Sequence, residues 1–119
     1  MAAATPRDRV RHMLDAIAAI EGYTAGKTFD DYRREPMLRH AVERNLEIVS
    51  EASRHLPDQV KARQTQDPWR AVAAIGNVLR HTYDEIIDER VWQIVTGELS
   101  PLKAALLAMI AKIERDIKG

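Results

Sequence analysis

Five prolines punctuate this 119-residue chain, and each stands where a helix can begin or has just ended. Proline fixes its own φ and lacks an N–H, so it suits a first helical turn and disrupts an interior one. Thr5-Pro6, Asp67-Pro68 and Ser100-Pro101 each place a capping residue before a proline. Pro36 opens another helix, and Pro57 closes it. Between these marks the apolar residues recur at helical spacing, and nothing reads as a series of strands and turns. The expectation is an all-α fold, a single domain over residues 1–119 built as a four- to five-helix up-and-down bundle.

Taken in order, Val10, Leu14, Ile17 and Ala18 give the first helix its apolar side, with Gly22 or Gly26 marking its end. Thr28 and Asp31 resemble a capping box for a short turn of helix before Pro36. Leu38, Val42, Leu46 and Val49 then form an apolar stripe. Arg39, Glu43, Glu47 and Glu51 share another face at i,i+4 spacing, which reads as a ladder of solvated ion pairs. Residues 58–66 are polar and weakly patterned, a connection or a frayed turn. Further on, Ile87, Val91, Trp92 and Val95 can pack together, with Asp88 restarting a helix after a kink near Tyr83 and Asp84. Gly97 is the expected stop, and Ser100-Pro101 the start of a last helix carrying Leu102, Leu106, Met109 and Ile113.

Composition narrows the function. Eighteen basic residues balance eighteen acidic ones, so the chain lacks the basic surplus of a protein that grips long nucleic acid through many phosphates. A local basic pocket remains open. Without cysteine there is no thiolate metal site and no cysteine nucleophile. The N-terminus has no apolar core of signal-peptide length, and the longest apolar run, Ala104–Ala111, is far shorter than a membrane span. A cytoplasmic protein without membrane contact is the expectation. His12, His40, His55 and His81 are scattered, and none forms an HExxH-like pair, so neither a metal nor another cofactor is expected.

The segment Asp67–Asp84 is the unusual one. Projected as a helix, Val72, Ile75, Leu79 and Ile86 form one apolar stripe. Opposite them lie Arg70, Asn77, Arg80, His81 and Asp84, interleaved with Ala73 and Ala74, with Gly76 at the margin. Small residues among polar ones would let a second helix, such as one from another subunit, approach closely. His81 titrates near neutrality and suits proton transfer. Arg80 and Arg70 offer planar cations to phosphate oxygens, and Asn77, one turn before His81, can orient it or donate to a substrate. Arginine with histidine, without metal or thiol, suits cleavage of RNA by its own 2′-hydroxyl. Plainer roles stand beside these: a helix-terminal His81 bonded to Asp84 or a carbonyl, and an Arg80–Asp84 surface ion pair. Tyr83 falls outside the polar face by ideal projection, and Trp69 and Trp92 read as core or interface anchors.

Three stretches carry a resemblance: GNVLRHTYD (76–84), RNLEIVSEA (44–52) and VWQIVTGELSPL (91–102). Together they resemble the HepT family of the HEPN superfamily, small all-helical proteins that are typically homodimers. The resemblance implies a HepT-like toxin of a type VII toxin–antitoxin pair, restrained by a neighbouring nucleotidyltransferase antitoxin (MntA-like). It implies a metal-independent endoribonuclease acting on an RNA substrate at a composite dimer site. The family motif is Arg, four to six residues, His, one residue, Tyr. His81 and Tyr83 match it, and Asn77 matches the polar residue that commonly follows the arginine. The arginine itself is missing, because its possible positions hold Ala74, Ile75 and Gly76. Arg80 or Arg70 is the candidate replacement. Tyr83 corresponds to the tyrosine that the partner can modify by AMPylation. The departure favours an alternative role, a non-catalytic helical partner of a nucleotidyltransferase that binds nucleotide or substrate.

Overall fold

The computed structural model describes residues 4–62, 66–80 and 84–118, with side chains over 4–62, 69–79 and 88–118. Four long helices dominate: α1 (Pro6–Thr24), α3 (Pro36–Arg54), α5 (Gln66–Arg80) and α7 (Leu99–Lys118). Between them lie the short α2 (Phe29–Arg34) and α4 (Asp58–Lys61), and α6 (Asp84–Gln93), which runs through a π-helical turn (Ile94–Glu98) into α7. All described elements are helical, as the periodicity predicts. Each long helix packs on its neighbour in chain order, and α7 closes the bundle against α1. Arg7 meets Glu114 at 3.0 Å and Glu21 meets Lys103 at 3.0 Å, so α1 and α7 run antiparallel. The body measures 49 × 31 × 25 Å.

Local chemistry explains most of the boundaries. Thr5 and Asp8 form a reciprocal capping box at the start of α1, with Pro6 in its first turn. Thr28 and Asp31 do the same for α2, with Thr28 Oγ1 accepting from the Asp31 amide at 3.1 Å. Both carboxyls sit below their ordinary range, chiefly because each accepts a backbone N–H of its threonine. Gly26, at φ 73°, takes the left-handed turn that lets the chain leave α1. Gly22 lies inside α1 instead. The expected polar connection after Pro57 contains the one-turn α4, and α5 begins at Gln66, just before the predicted cap at Asp67.

The core forms where the four long helices turn their apolar stripes inward. Val10, Met13, Ile17 and Ile20 of α1 meet Val42, Leu46 and Val49 of α3, Ile75 of α5, and Leu102 and Leu106 of α7. Ala18 departs from the expected stripe and is exposed, because Met13, Ala16 and Ile20 supply that face.

Two expectations fail together at the last helix. Gly97 does not stop a helix, and Ser100-Pro101 does not open one, because the chain stays helical from Asp88 to Lys118. A proline at 101 removes one N–H and crowds the carbonyl four residues back, at Gly97. The π turn widens the helix at this point: the Leu99 amide donates to the Ile94 carbonyl, a five-residue step. Thr96 Oγ1 also donates to the Trp92 carbonyl at 2.8 Å. By length and composition the continuous helix 88–118 could cross a membrane. In the bundle its Val91, Ile94, Leu99, Leu102, Leu106 and Met109 are core residues.

A Cβ added at Gly22 would meet no heavy atom within 4 Å. Gly22→Ala should therefore stabilise the protein by about 0.5–1 kcal/mol through helix propensity and a less flexible unfolded chain. Gly26→Ala, also unobstructed but at positive φ, should instead lower the melting temperature. Thermal unfolding of the two variants checks both signs.

Candidate functional site

Helix α5 positions the site. Ile75 is fully buried and Val72 nearly so, and Trp69, Val78 and Leu79 pack partly against the core, so these side chains set how the helix is turned. At its base, Trp69 Nε1 donates to the Lys61 carbonyl at 3.0 Å, tying α5 to α4. With the apolar stripe inward, Arg70, Ala73 and Asn77 are exposed on the outer side. Arg70 and Asn77 are seven residues apart, so they share a face about two turns, or roughly 10 Å, from each other. Arg80 is the last residue of α5, and its side chain lies outside the described ones. His81 and Tyr83 lie outside the described residues. Of the five predicted site residues, the structure thus describes Arg70 and Asn77 in full and brings them onto one face.

The sequence reading missed what stands beside this face. A cleft of about 560 Å³ runs between α3 and α5. Val72, Ala73, Gly76 and Leu79 line one side, and Arg44, Glu47, Ser50, Glu51, Ser53 and Arg54 the other. The available signal was Ser50 and Ser53, short polar residues at i,i+3 in a helix otherwise rich in long charged ones. Both are buried. Ser53 Oγ donates to the Ser50 carbonyl at 2.7 Å, a local bond that removes the cost of burying its hydroxyl.

The expected i,i+4 ladder on α3 is replaced by other pairings. Arg44 meets Glu47 at 3.3 Å and Arg54 meets Glu51 at 2.7 Å, both at i,i+3. His55 Nε2 lies 3.3 Å from Glu51, at i,i+4. The His55 bond and the Arg54 charge keep the Glu51 carboxyl below its usual range. Arg39 turns away and donates to the Arg33 carbonyl. Glu43 leaves the solvated face altogether. It is half-buried, and burial, reinforced by the charge of Asp88 on α6, pushes its carboxyl up against the opposing pull of His40 and Arg39.

The reason is α2. Tyr32 is fully buried against Trp92, with ring centroids 5.4 Å apart, and Phe29 joins them at 6.5 Å from Trp92. This aromatic cluster pins α2 over the junction of α3 and α6, which leaves Glu43 partly desolvated. The Tyr32 hydroxyl is buried and finds no hydrogen-bond partner among the described residues. Burial, with the negative charges of Glu43 and Asp88, raises its pKa further. Trp69 and Trp92 both pack against the core, as anchors. Among the described residues, no group of three or more acidic, histidine or cysteine side chains is arranged to hold a metal ion.

Comparison with known proteins now bears on this geometry. Residues 13–109, which include all of α3 and α5, match the family model described as Ribonuclease HepT-like. The chain belongs to the HepT-like ribonuclease family. It is 31% identical over 97 residues to the Probable ribonuclease HepT of Thermococcus cleftensis, covering 82% of this chain and 88% of that one. It is 27% identical over 108 residues to a Caldanaerobacter subterraneus protein named "Putative RNase", covering 91% of this chain and 96% of that one. A Methanocaldococcus jannaschii protein named "Gamma-glutamylcyclotransferase and putative RNase" is 29% identical over 107 residues, 90% of this chain. This chain spans only 48% of that longer protein's length. No solved structure matches the chain. For a HepT-like chain, the matched region brings together the outer face of α5 and the α3–α5 cleft.

The raised Glu43 carboxyl carries a stability consequence. Its folded form holds a proton more readily than the unfolded chain does, so ionising it opposes folding. The penalty begins as pH rises past the unfolded glutamate value and is complete once pH exceeds the folded one. Glu43→Gln should therefore raise the melting temperature at pH 8, and the gain should vanish near pH 3. Melting curves of both proteins across that range decide it.

Proposed function

We propose that the protein is a metal-independent endoribonuclease toxin, a homodimer in which the outer faces of two α5 helices build a composite groove. The observation that carries this reading is the family match across α3 and α5, with His81 and Tyr83 standing in the sequence at the family's spacing. His81 takes the proton of a ribose 2′-hydroxyl as its oxygen attacks the adjacent phosphorus. The bond to the 5′-oxygen breaks, leaving a 2′,3′-cyclic phosphate, and the 5′-oxygen leaves as a hydroxyl with a proton from water, to which His81 gives up its own. Arg80, or Arg70 two to three turns away, balances the charge gathering on the phosphate oxygens, and Asn77 orients the reacting groups. A nucleotidyltransferase antitoxin restrains the toxin in the cytoplasm by adding AMP to Tyr83, whose bulk and charge would exclude RNA.

The motif arginine's absence from positions 74–76 favours a second reading. Here the protein is a non-catalytic helical partner of a nucleotidyltransferase, and the same face binds nucleotide or the partner. Cleavage of total tRNA and mRNA in excess chelator separates the two, after mass spectrometry confirms an unmodified Tyr83. Wild-type protein should cut, and His81→Ala should lose at least about a hundredfold in rate, the lower range of a general acid–base contribution, while keeping its fold. A folded, unmodified wild type that cuts nothing would establish the partner reading. Fully retained cutting by Arg80→Ala would pass the phosphate-binding role to Arg70.

A further inference from the structure

The segment Arg44–Ala52 takes no part in the reaction proposed above, yet it forms one wall of the α3–α5 cleft. Arg44, Glu47, Ser50, Glu51 and Arg54 follow one another at helical spacing, so a single stripe of α3 lines the cavity. Its volume, about 560 Å³, falls within the range of small-ligand sites. Ala73 and Gly76 keep the opposite wall low, and Val72 and Leu79 give it an apolar surface on which a flat group can rest.

Ser50 is the informative residue. It is only 8% exposed and lines the cleft, but among the described residues no hydrogen bond occupies its hydroxyl. Ser53, one turn on, satisfies its own hydroxyl locally. A hydroxyl on the wall of a cavity is available to a ligand.

The charges specify the ligand. Among the described residues of the lining, two arginines and two glutamates balance, which does not suit a run of phosphates. It does suit one unpaired nucleotide, with a guanidinium on the phosphate and a carboxylate on the donor edge of the base. The existing pairs are exposed, with Arg44 69% and Glu47 54% accessible, so a ligand can replace them at little cost. Glu51 is held by both Arg54 and His55, whereas Glu47 is held by Arg44 at 3.3 Å. Glu47 is therefore the carboxylate free to exchange. Guanine alone among the four bases presents adjacent N1–H and N2–H donors that match both oxygens of one carboxylate.

We propose that the α3–α5 cleft binds a single unpaired guanine nucleotide, with Glu47 reading the base, Arg44 holding its phosphate and Ser50 bonding to the sugar. The inference rests on the RNase reading for the polymer that carries the nucleotide; the pocket itself does not require cleavage.

GMP and UMP, which contain no internucleotide bond to cut, test it directly by NMR titration of the full-length protein. GMP should shift amides of residues 44–54 and 72–79 and bind about tenfold more tightly than UMP. Glu47→Gln should abolish that preference, and Arg44→Ala should weaken both ligands. Equal binding of GMP and UMP, shifts confined to other residues, or a preference that survives Glu47→Gln would each overturn the proposal. Guanine-selective binding by a protein that cuts no RNA would refute the RNase reading and leave this one standing. RNA cutting without guanine-selective binding would do the reverse.

Discussion

Burial of Val72 and Ile75 against the bundle core decides how α5 is turned, and the candidate chemistry follows from that rotation. These two residues lie one turn apart on a helix with few other large apolar side chains between Trp69 and Leu79. Trp69, Val78 and Leu79 pack partly against the same core, which leaves a narrow strip of the helix facing outward. Arg70, Ala73 and Asn77 lie outward as a consequence of what is buried. Turning the helix to bury them would expose Ile75 and strand a guanidinium away from water, two losses in the same direction.

The same logic explains the division of labour on α3. Its inner side carries Val42, Leu46 and Val49 into the core, and its flank carries Ser50 and Ser53 to the edge of α5. Short side chains at that edge allow the cleft to exist; two leucines there would fill it. Glu43, one turn before Glu47, meets a different environment because α2 covers it. One face of a single helix therefore holds a solvated carboxylate, one bonded by both Arg54 and His55, and one whose carboxyl burial pushes up.

The α6–α7 junction shows where local signals and tertiary packing disagree. Glycine followed by Ser-Pro is a sound reason to expect a stop and a restart. Yet Val91 and Ile94 on one side and Leu99 and Leu102 on the other are all buried. Keeping them on one continuous surface outweighs the cost of one missing N–H, and the π turn absorbs the misfit without breaking the helix. Arg90 and Glu98, 3.1 Å apart, bridge the same irregular turn.

Helix identity, the cap at Thr5, the capping box at Thr28 and the two-sided character of α5 were all legible in the sequence. They depend on interactions within a few residues, which periodicity and cap chemistry record directly. The family likeness was legible too, carried by short segments whose residues stand in the order of the chain. Three things were decided only by the tertiary structure: the α3–α5 cleft, the partial burial of Glu43 near Tyr32, and the helix running through Gly97 and Pro101. Each arises from residues far apart in sequence or from a core that overrides a local preference. A one-dimensional pattern can record which side of a helix is apolar; what packs against its flank depends on the rest of the fold.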